Sequence, residues 1–326
     1  MTKRIRFIYT GGTVGGKEDY GVVLYEDLKP EKFISVFLEK FPNLKGEIEL
    51  SYSTPIKKFS EEIMPSDWVE TAKDVYKAID KEHVDGVVVA HGTDTMAYTS
   101  SAISFMLNGL KVPVILTGSN RPITHLQTDA LRNMHDAILV AKDGRFKGVF
   151  VVFSGVNERP STIHLGTRVR KVKFFDNNYK SINRPSPMGI VEEKSLLKGC
   201  ELKILDKELF GHICSKNANS HFKLVDKFDP NISFVKIYPG FDPGTVQYGI
   251  YGIGIGKNEK GKRQVQTKPP VRGVILELYN SGTAATQHPK YSILDTLSLA
   301  NERNIPVFIT SQHGRQSGNE LIRIIH

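Results

Sequence analysis

Short apolar runs alternate with amphipathic stretches along most of the chain, which predicts strands followed by helices. Ile5 to Tyr9, Val87 to Ala90, Val112 to Thr117 and Val149 to Phe153 are Val/Ile-rich and stop abruptly at polar residues or glycine. Runs of that length and composition read as buried strands. Between them, Pro30 to Phe41 carries Phe33, Phe37 and Leu38 at helical spacing. Ser66 to Ile79 opens with Ser66 at the N-cap position and Asp67 in the first turn, both helix-start signals. Met96 to Leu107 and Thr128 to Val140 repeat the helical pattern. Strand–helix–strand alternation predicts an α/β fold with a parallel sheet covered on both faces.

The pattern weakens from about Pro187 to Asn231, where Gly199, Gly211 and the polar Ser215 to Ser220 read as linker. It returns with strands at Phe234 to Tyr238 and Val274 to Leu278, a helix at Ile293 to Glu302 and a strand at Val307 to Thr310. The predicted organisation is a larger N-terminal α/β domain (1–188), a linker (189–230) and a smaller C-terminal α/β domain (231–326). Residues 247–271 are glycine-rich and then basic. A phosphate-binding loop should open a helix; none follows here, so this stretch reads as an irregular surface excursion.

At 326 residues with 40% hydrophobic content, the chain is large enough for one big domain or two ordinary ones. No apolar run reaches the roughly 18 residues that span a bilayer, and Phe7-Ile8-Tyr9 behind a basic start is too short for a signal peptide. Nothing marks the chain for export, so the expected setting is the cytoplasm, with no membrane partner. Cys200 and Cys214 match no zinc spacing and read as two thiols in a reducing compartment. No metal or organic cofactor is expected. The net charge of +9 gathers in Arg168 to Lys173 and Lys257 to Arg272. No aromatic platform, helix-turn-helix or zinc finger accompanies it, so the charge reads as solvated surface and a nucleic-acid partner is not expected.

Candidate chemistry lies where two strands end. Thr10-Gly11-Gly12-Thr13 follows the first strand, and His91-Gly92-Thr93-Asp94-Thr95-Met96 follows the second. In open α/β sheets, ligands bind outside the carboxyl ends of the strands. A hydroxyl there is a nucleophile once a base takes its proton and donors hold the oxyanion. Glycines in Gly11-Gly12-Thr13-Val14-Gly15-Gly16 allow a tight turn with free N–H groups. Asp94 beside Thr93 needs a proton relay, for which a partly neutral lysine would serve. His91, at the end of a buried strand, reads as structural rather than as the base.

The two segments resemble the paired signatures of the bacterial-type L-asparaginases, most closely the cytoplasmic type I branch. Thr117-Gly118-Ser119, Arg121-Pro122-Ile123, Thr128-Asp129 and Tyr238-Pro239-Gly240 follow the same pattern, and the likeness runs from Arg4 to about Gln312. The resemblance implies an asparaginase-like fold and hydrolysis of L-asparagine to L-aspartate and ammonia through a threonine acyl-enzyme, with glutamine as a side substrate. It implies Thr13 as the nucleophile and Thr93 as the second threonine, joined to Asp94 and a lysine. Gly166-Thr167-Arg168-Val169-Arg170-Lys171 fits the family's lysine segment, so Lys171 is the candidate and Lys173 its competitor. A flap tyrosine is implied, with Tyr25 favoured over Tyr20 by its spacing to the next helix. Ser60-Glu61-Glu62-Ile63 matches the substrate-binding segment, with Ser60 at the α-carboxylate and Glu61 and Asp94 at the ammonium. Gly12, Gly92 and Thr93 complete the implied binding set. A homodimer or homotetramer is implied as well.

The match departs in three places. The family's smaller domain usually runs further, so the C-terminal end reads as shorter than usual. Residues 247–271 read as an insertion. Tyr279-Asn280-Ser281-Gly282-Thr283-Ala284 replaces a common Gly-Asn. Two other readings stay open: an archaeal amidotransferase subunit that supplies ammonia for charging glutaminyl-tRNA, and a non-catalytic asparaginase-like protein. The first normally has an N-terminal extension, whereas here the first motif begins ten residues in.

Overall fold

The computed structural model describes residues 2–19, 22–24, 29–156, 158–172, 178–182, 186–195, 199–312 and 324–325. The chain divides into two compact units, Met1–Phe228 and Asp229–His326.

The first unit is built on an eight-stranded sheet. Its strands in chain order are β1 (Lys3–Tyr9), β2 (Ile48–Ser53), β3 (Gly86–Ala90), β4 (Pro113–Thr117), β5 (Gly148–Phe153) and β6 (Ser161–Leu165). A side hairpin follows, β7 (Val169–Val172) and β8 (Asn178–Ser181), and then β9 (Gly189–Ser195) and β10 (Gly199–Ile204). The helices are α1 (Pro30–Lys40), α2 (Pro65–Asp80), α3 (Met96–Met106), α4 (Ala130–Ala141) and α5 (Lys207–Asn219). The spatial order of the sheet is β10-β9-β6-β5-β4-β3-β1-β2. Strands β2-β1-β3-β4-β5 pair in parallel, and β6, β9 and β10 pair antiparallel.

Every residue of β3, β4 and β5 is buried. The runs GVVVA, PVILT and GVFVVF are apolar because helices cover both faces. On one face, Phe33 and Phe37 of α1 join Met134, Ala137 and Ile138 of α4 around Phe7, Ile115 and Phe150. On the other, Ala72 and Val75 of α2 and Ile103 of α3 pack on Ile8, Val87, Val89 and Leu116. The order 2-1-3-4-5 places the next strands of the chain on opposite sides of β1. The carboxyl ends of β1 and β3 therefore flank the topological switch point, the crevice where such sheets hold ligands.

Two sequence expectations change here. Ser66 is not the cap of α2, which starts at Pro65 with Met64 before it. The Asp67 carboxylate reaches back to accept from the Met64 N–H (2.7 Å) and so does the capping. The stretch 189–230 is not a linker up to residue 228. Strands β9 and β10 extend the main sheet, and Leu209, Phe210 and Ile213 of α5 pack on its core. The charged pair Glu192-Glu193 obscures β9, and strands near the edge of a sheet tolerate such residues.

The second unit has β11 (Ile232–Lys236), β12 (Ile253–Lys257), β13 (Arg263–Thr267), β14 (Gly273–Leu278) and β15 (Val307–Ser311), with α6 (Gly244–Ile250) and α7 (Leu294–Glu302). Strands β11-β14-β15 pair in parallel around a core of Ile237, Val246, Ile250, Leu276 and Leu299. Residues 247–271 are not an irregular excursion. They hold the end of α6 and a regular antiparallel hairpin, β12–β13, whose Ile255 and Val265 face each other in register while largely exposed.

Candidate active site

The first threonine turn leaves β1 through Thr10, which still belongs to the sheet: its N–H and hydroxyl both donate to the Ala90 carbonyl, at 3.1 and 2.9 Å. Gly11 and Gly12 then take φ values of 103° and 84°, the left-handed region open to glycine. Space demands glycine as well. A Cβ on Gly11 would run into the Lys58 backbone, and one on Gly12 would lie 2.6 Å from the Gly92 Cα and N. Half-buried Thr13 follows in a single 3-10 turn, Thr13–Gly15.

The second turn leaves β3 through His91 and Gly92 and enters α3. A Cβ on Gly92 would lie 2.7 Å from both Cβ and Oγ of Ser60. Ser60 is buried, and its carbonyl accepts from Thr95 Oγ1 at 2.7 Å. Three segments thus meet at glycines, with Gly12 on Gly92 and Gly92 on Ser60. Thr13 and Thr93 each sit one residue beyond the first of these contacts.

His91 is buried and fully bonded. The Gly92 carbonyl can only accept, so His91 Nδ1–H donates to it (2.7 Å). In the neutral ring Nε2 then accepts from the Thr99 hydroxyl (2.9 Å), whose oxygen in turn accepts from Trp68 Nε1 (2.9 Å). Burial pushes this imidazole down to about 4. It is a neutral strut for the turn, with no free nitrogen for a substrate.

Lys171, on β7, reaches the second turn. Its Nζ donates to Thr93 Oγ1 at 2.9 Å and to Asp94 Oδ1 at 2.6 Å. The lysine side chain is 18% exposed and the Asp94 side chain 65% exposed, so this cation–hydroxyl–carboxylate set is enclosed on the lysine side and open to solvent at Asp94. The adjoining N-terminus of α3 adds positive potential near Asp94. Cross-strand from Lys171, Tyr179 of β8 donates its hydroxyl to the Thr93 carbonyl at 2.5 Å. Tyr179 gave no signal in the sequence, because only the β7–β8 register places it opposite Lys171.

The remaining site residues are spread around these turns. Glu61 and Glu62 are exposed beside Ser60. Gly118 packs on the His91 carbonyl, and Ile123 N donates to the Val14 carbonyl (3.1 Å). Buried Asp129 accepts from the Asn120 and Arg121 N–H groups at 2.9 and 3.0 Å, and burial raises its carboxyl above the usual range. Tyr20, Tyr25 and Lys173 lie outside the described residues. Among the described residues, one grouping has metal-ligand chemistry. Atoms of His135, Asp136 and Cys200 lie within 4.8 Å of one another, on α4 and β10. The oxygens of Asp136 already bond His135, Ser161 and Arg159.

Comparison with known proteins agrees with this arrangement. Residues 4–197 match the family model described as Asparaginase, N-terminal. The chain is 30% identical over 311 residues to a subunit of the glutamyl-tRNA(Gln) amidotransferase of Sulfurisphaera tokodaii, covering 94% of this chain and 61% of that protein. It is 38% identical over 251 residues to an L-asparaginase of Thermococcus kodakarensis, covering 77% of this chain and 63% of that protein. The chain therefore spans about three fifths of the length of these two relatives. Among solved structures, the thermostable L-asparaginase from Thermococcus kodakarensis superposes with TM-score 0.71 at 28% identity, covering 97% of this chain and 81% of that one. L-asparaginase I from Vibrio cholerae gives TM-score 0.68 at 28% identity, covering 93% and 79%. Together with the paired threonine turns at the switch point, these matches establish that the chain belongs to the asparaginase family.

Proposed function

We propose that the protein hydrolyses the side-chain amide of L-asparagine to L-aspartate and ammonia through an acyl-enzyme on Thr13. One observation carries this reading: Lys171 Nζ bridges Thr93 Oγ1 and Asp94 Oδ1 on a turn whose Gly92 abuts Gly12. Thr13 Oγ1 attacks the carboxamide carbon, and its proton passes to the leaving amide nitrogen, which departs as ammonia. The ester left on Thr13 is then attacked by water. The water's proton passes to Thr93 Oγ1, whose own proton is handed on through the Lys171–Asp94 pair and returned to the Thr13 oxygen as the ester C–O bond breaks. Ser60 and Glu61 receive the substrate's α-carboxylate and ammonium, and Asp94 faces the same ammonium. Tyr25, with Tyr20 as its competitor, supplies the phenol beside the nucleophile. The working form is a homodimer or homotetramer in the cytoplasm, acting without a metal or organic cofactor.

A second reading has support from the amidotransferase relatives, several of which align over 97% of this chain. In it the same hydrolysis supplies ammonia to a tRNA-dependent amidotransferase. The separating test measures ammonia release by the purified chain from asparagine and from glutamine, without tRNA or partner. Steady turnover of asparagine supports the first reading. Activity only once a partner and tRNA are added supports the second, and no activity under either condition leaves a non-catalytic relative.

A further inference from the structure

The β7–β8 hairpin carries two side chains that converge on one residue. Lys171 and Tyr179 are directly opposed in its register, so they project from the same face of the hairpin. Lys171 contacts the Thr93 hydroxyl, and Tyr179 contacts the Thr93 carbonyl. That carbonyl belongs to the peptide joining Thr93 to Asp94, so its direction sets where the Asp94 carboxylate starts from. Tyr179 is 4% exposed, with its ring edge-on to Phe153 at a centroid separation of 5.1 Å. Burial, with the Asp94 charge second, holds its phenol well above the usual range, so it remains a donor wherever the enzyme works.

We infer that Tyr179 is a positioning residue: its hydroxyl fixes the Thr93–Asp94 peptide so that Lys171 can bridge hydroxyl and carboxylate at once. The inference rests on the hydrolytic reading above. Lys171 alone could pull Asp94 toward itself by charge, but a peptide free to rotate would let the carboxylate follow the lysine away from the Thr93 hydroxyl. The Tyr179 bond removes that freedom without touching substrate. Small misplacements of this kind are expensive in turnover and cheap in binding.

The test compares two variants on asparagine. Tyr179→Phe keeps the ring against Phe153 and deletes the hydroxyl. Its kcat is expected to fall about tenfold to a hundredfold while KM moves less than about threefold. Phe153→Leu loosens the ring's packing and keeps the hydroxyl; it should lower the melting temperature and leave kcat within about twofold of wild type. Overturning results are a Tyr179→Phe enzyme with wild-type kcat, or a Phe153→Leu enzyme that loses as much kcat as Tyr179→Phe. A wild-type chain that hydrolyses neither amide defeats the hydrolytic reading and this inference with it. An active wild type with an unimpaired Tyr179→Phe defeats this inference alone.

Discussion

The two units use the same strand–helix grammar and bury it to different depths. In the first unit β3, β4 and β5 are buried along their whole length, between two separate cores. In the second, β11 alternates exposed and half-buried residues, and Phe234 on it is 63% exposed. Among the described residues one core serves that sheet, and α6 and α7 pack against each other. The candidate site grows from the doubly covered sheet. Turns that leave β1 and β3 start from backbone held on both faces, so a hydroxyl three or four residues further on inherits a fixed address. A half-covered sheet gives its loops no such anchor.

Substitutions in each unit put this contrast to the test. The largest effect is expected from the hydroxyls: Thr13→Ala and Thr93→Ala should each cut asparagine turnover at least about a thousandfold. Their melting temperatures should stay close to wild type. Near-normal activity in Thr93→Ala would remove it from the mechanism.

Gly12→Ala comes next. It forces a Cβ onto the Gly92 backbone at a positive φ, so activity and stability should fall together. Gly240→Ala in the second unit is the matched control, with φ 87° and nothing within 4 Å of the added carbon. Only the backbone strain remains there, about 1–2 kcal/mol by denaturant melts. Equal losses at the two glycines would mean that crowding at Gly12 is irrelevant.

For the frames themselves, Phe150→Ala, fully buried, should cost about 3–5 kcal/mol of unfolding free energy. Phe234→Ala should cost under about 0.5 kcal/mol. A large loss at Phe234 would show that another surface covers β11 in solution.

The last effect is read in acid. His91 and His164, both in the first unit, are buried and pushed down to about 4 from 6.5. Each is a base whose folded value is depressed, so its stabilisation is complete above pH 6.5 and drains away as pH falls toward about 4. The total per histidine is on the order of 3 kcal/mol. Melts between pH 7 and pH 4 should show this decline, and His164→Asn should remove part of it. A flat profile would mean that both rings accept protons without strain.

The strands that lead into the two threonine turns were legible because burial wrote them in valine and isoleucine. The ends of β1 and β3 were placed correctly by Tyr9 giving way to Thr10 and Ala90 giving way to His91. Elements with weaker hydrophobic contrast were not legible. Strand β9 carries charges tolerated near the edge of the sheet, and α5 contains an exposed Gly211 that mimics a breaker. Strand β12 alternates isoleucine with glycine, a pattern shared by loops, and β13 carries only Val265 among polar residues. Within the site, the pairing of Lys171 with Thr93 and Asp94 was reachable through the family's motif, whereas Tyr179 was not. Strand register is a long-range property, and no local run of residues declares which pairs will face each other.

The seam where Gly12 meets Gly92 has one more consequence. Backbone rests on backbone there, with no side chain between to be exchanged for a larger or smaller one. Natural variation cannot widen the gap between the two turns by substitution, since any replacement adds bulk where none fits. Any change of ligand preference is therefore left to the side chains beside the two turns, such as Ser60 and Thr95, while the approach of Gly12 to Gly92 is inherited intact.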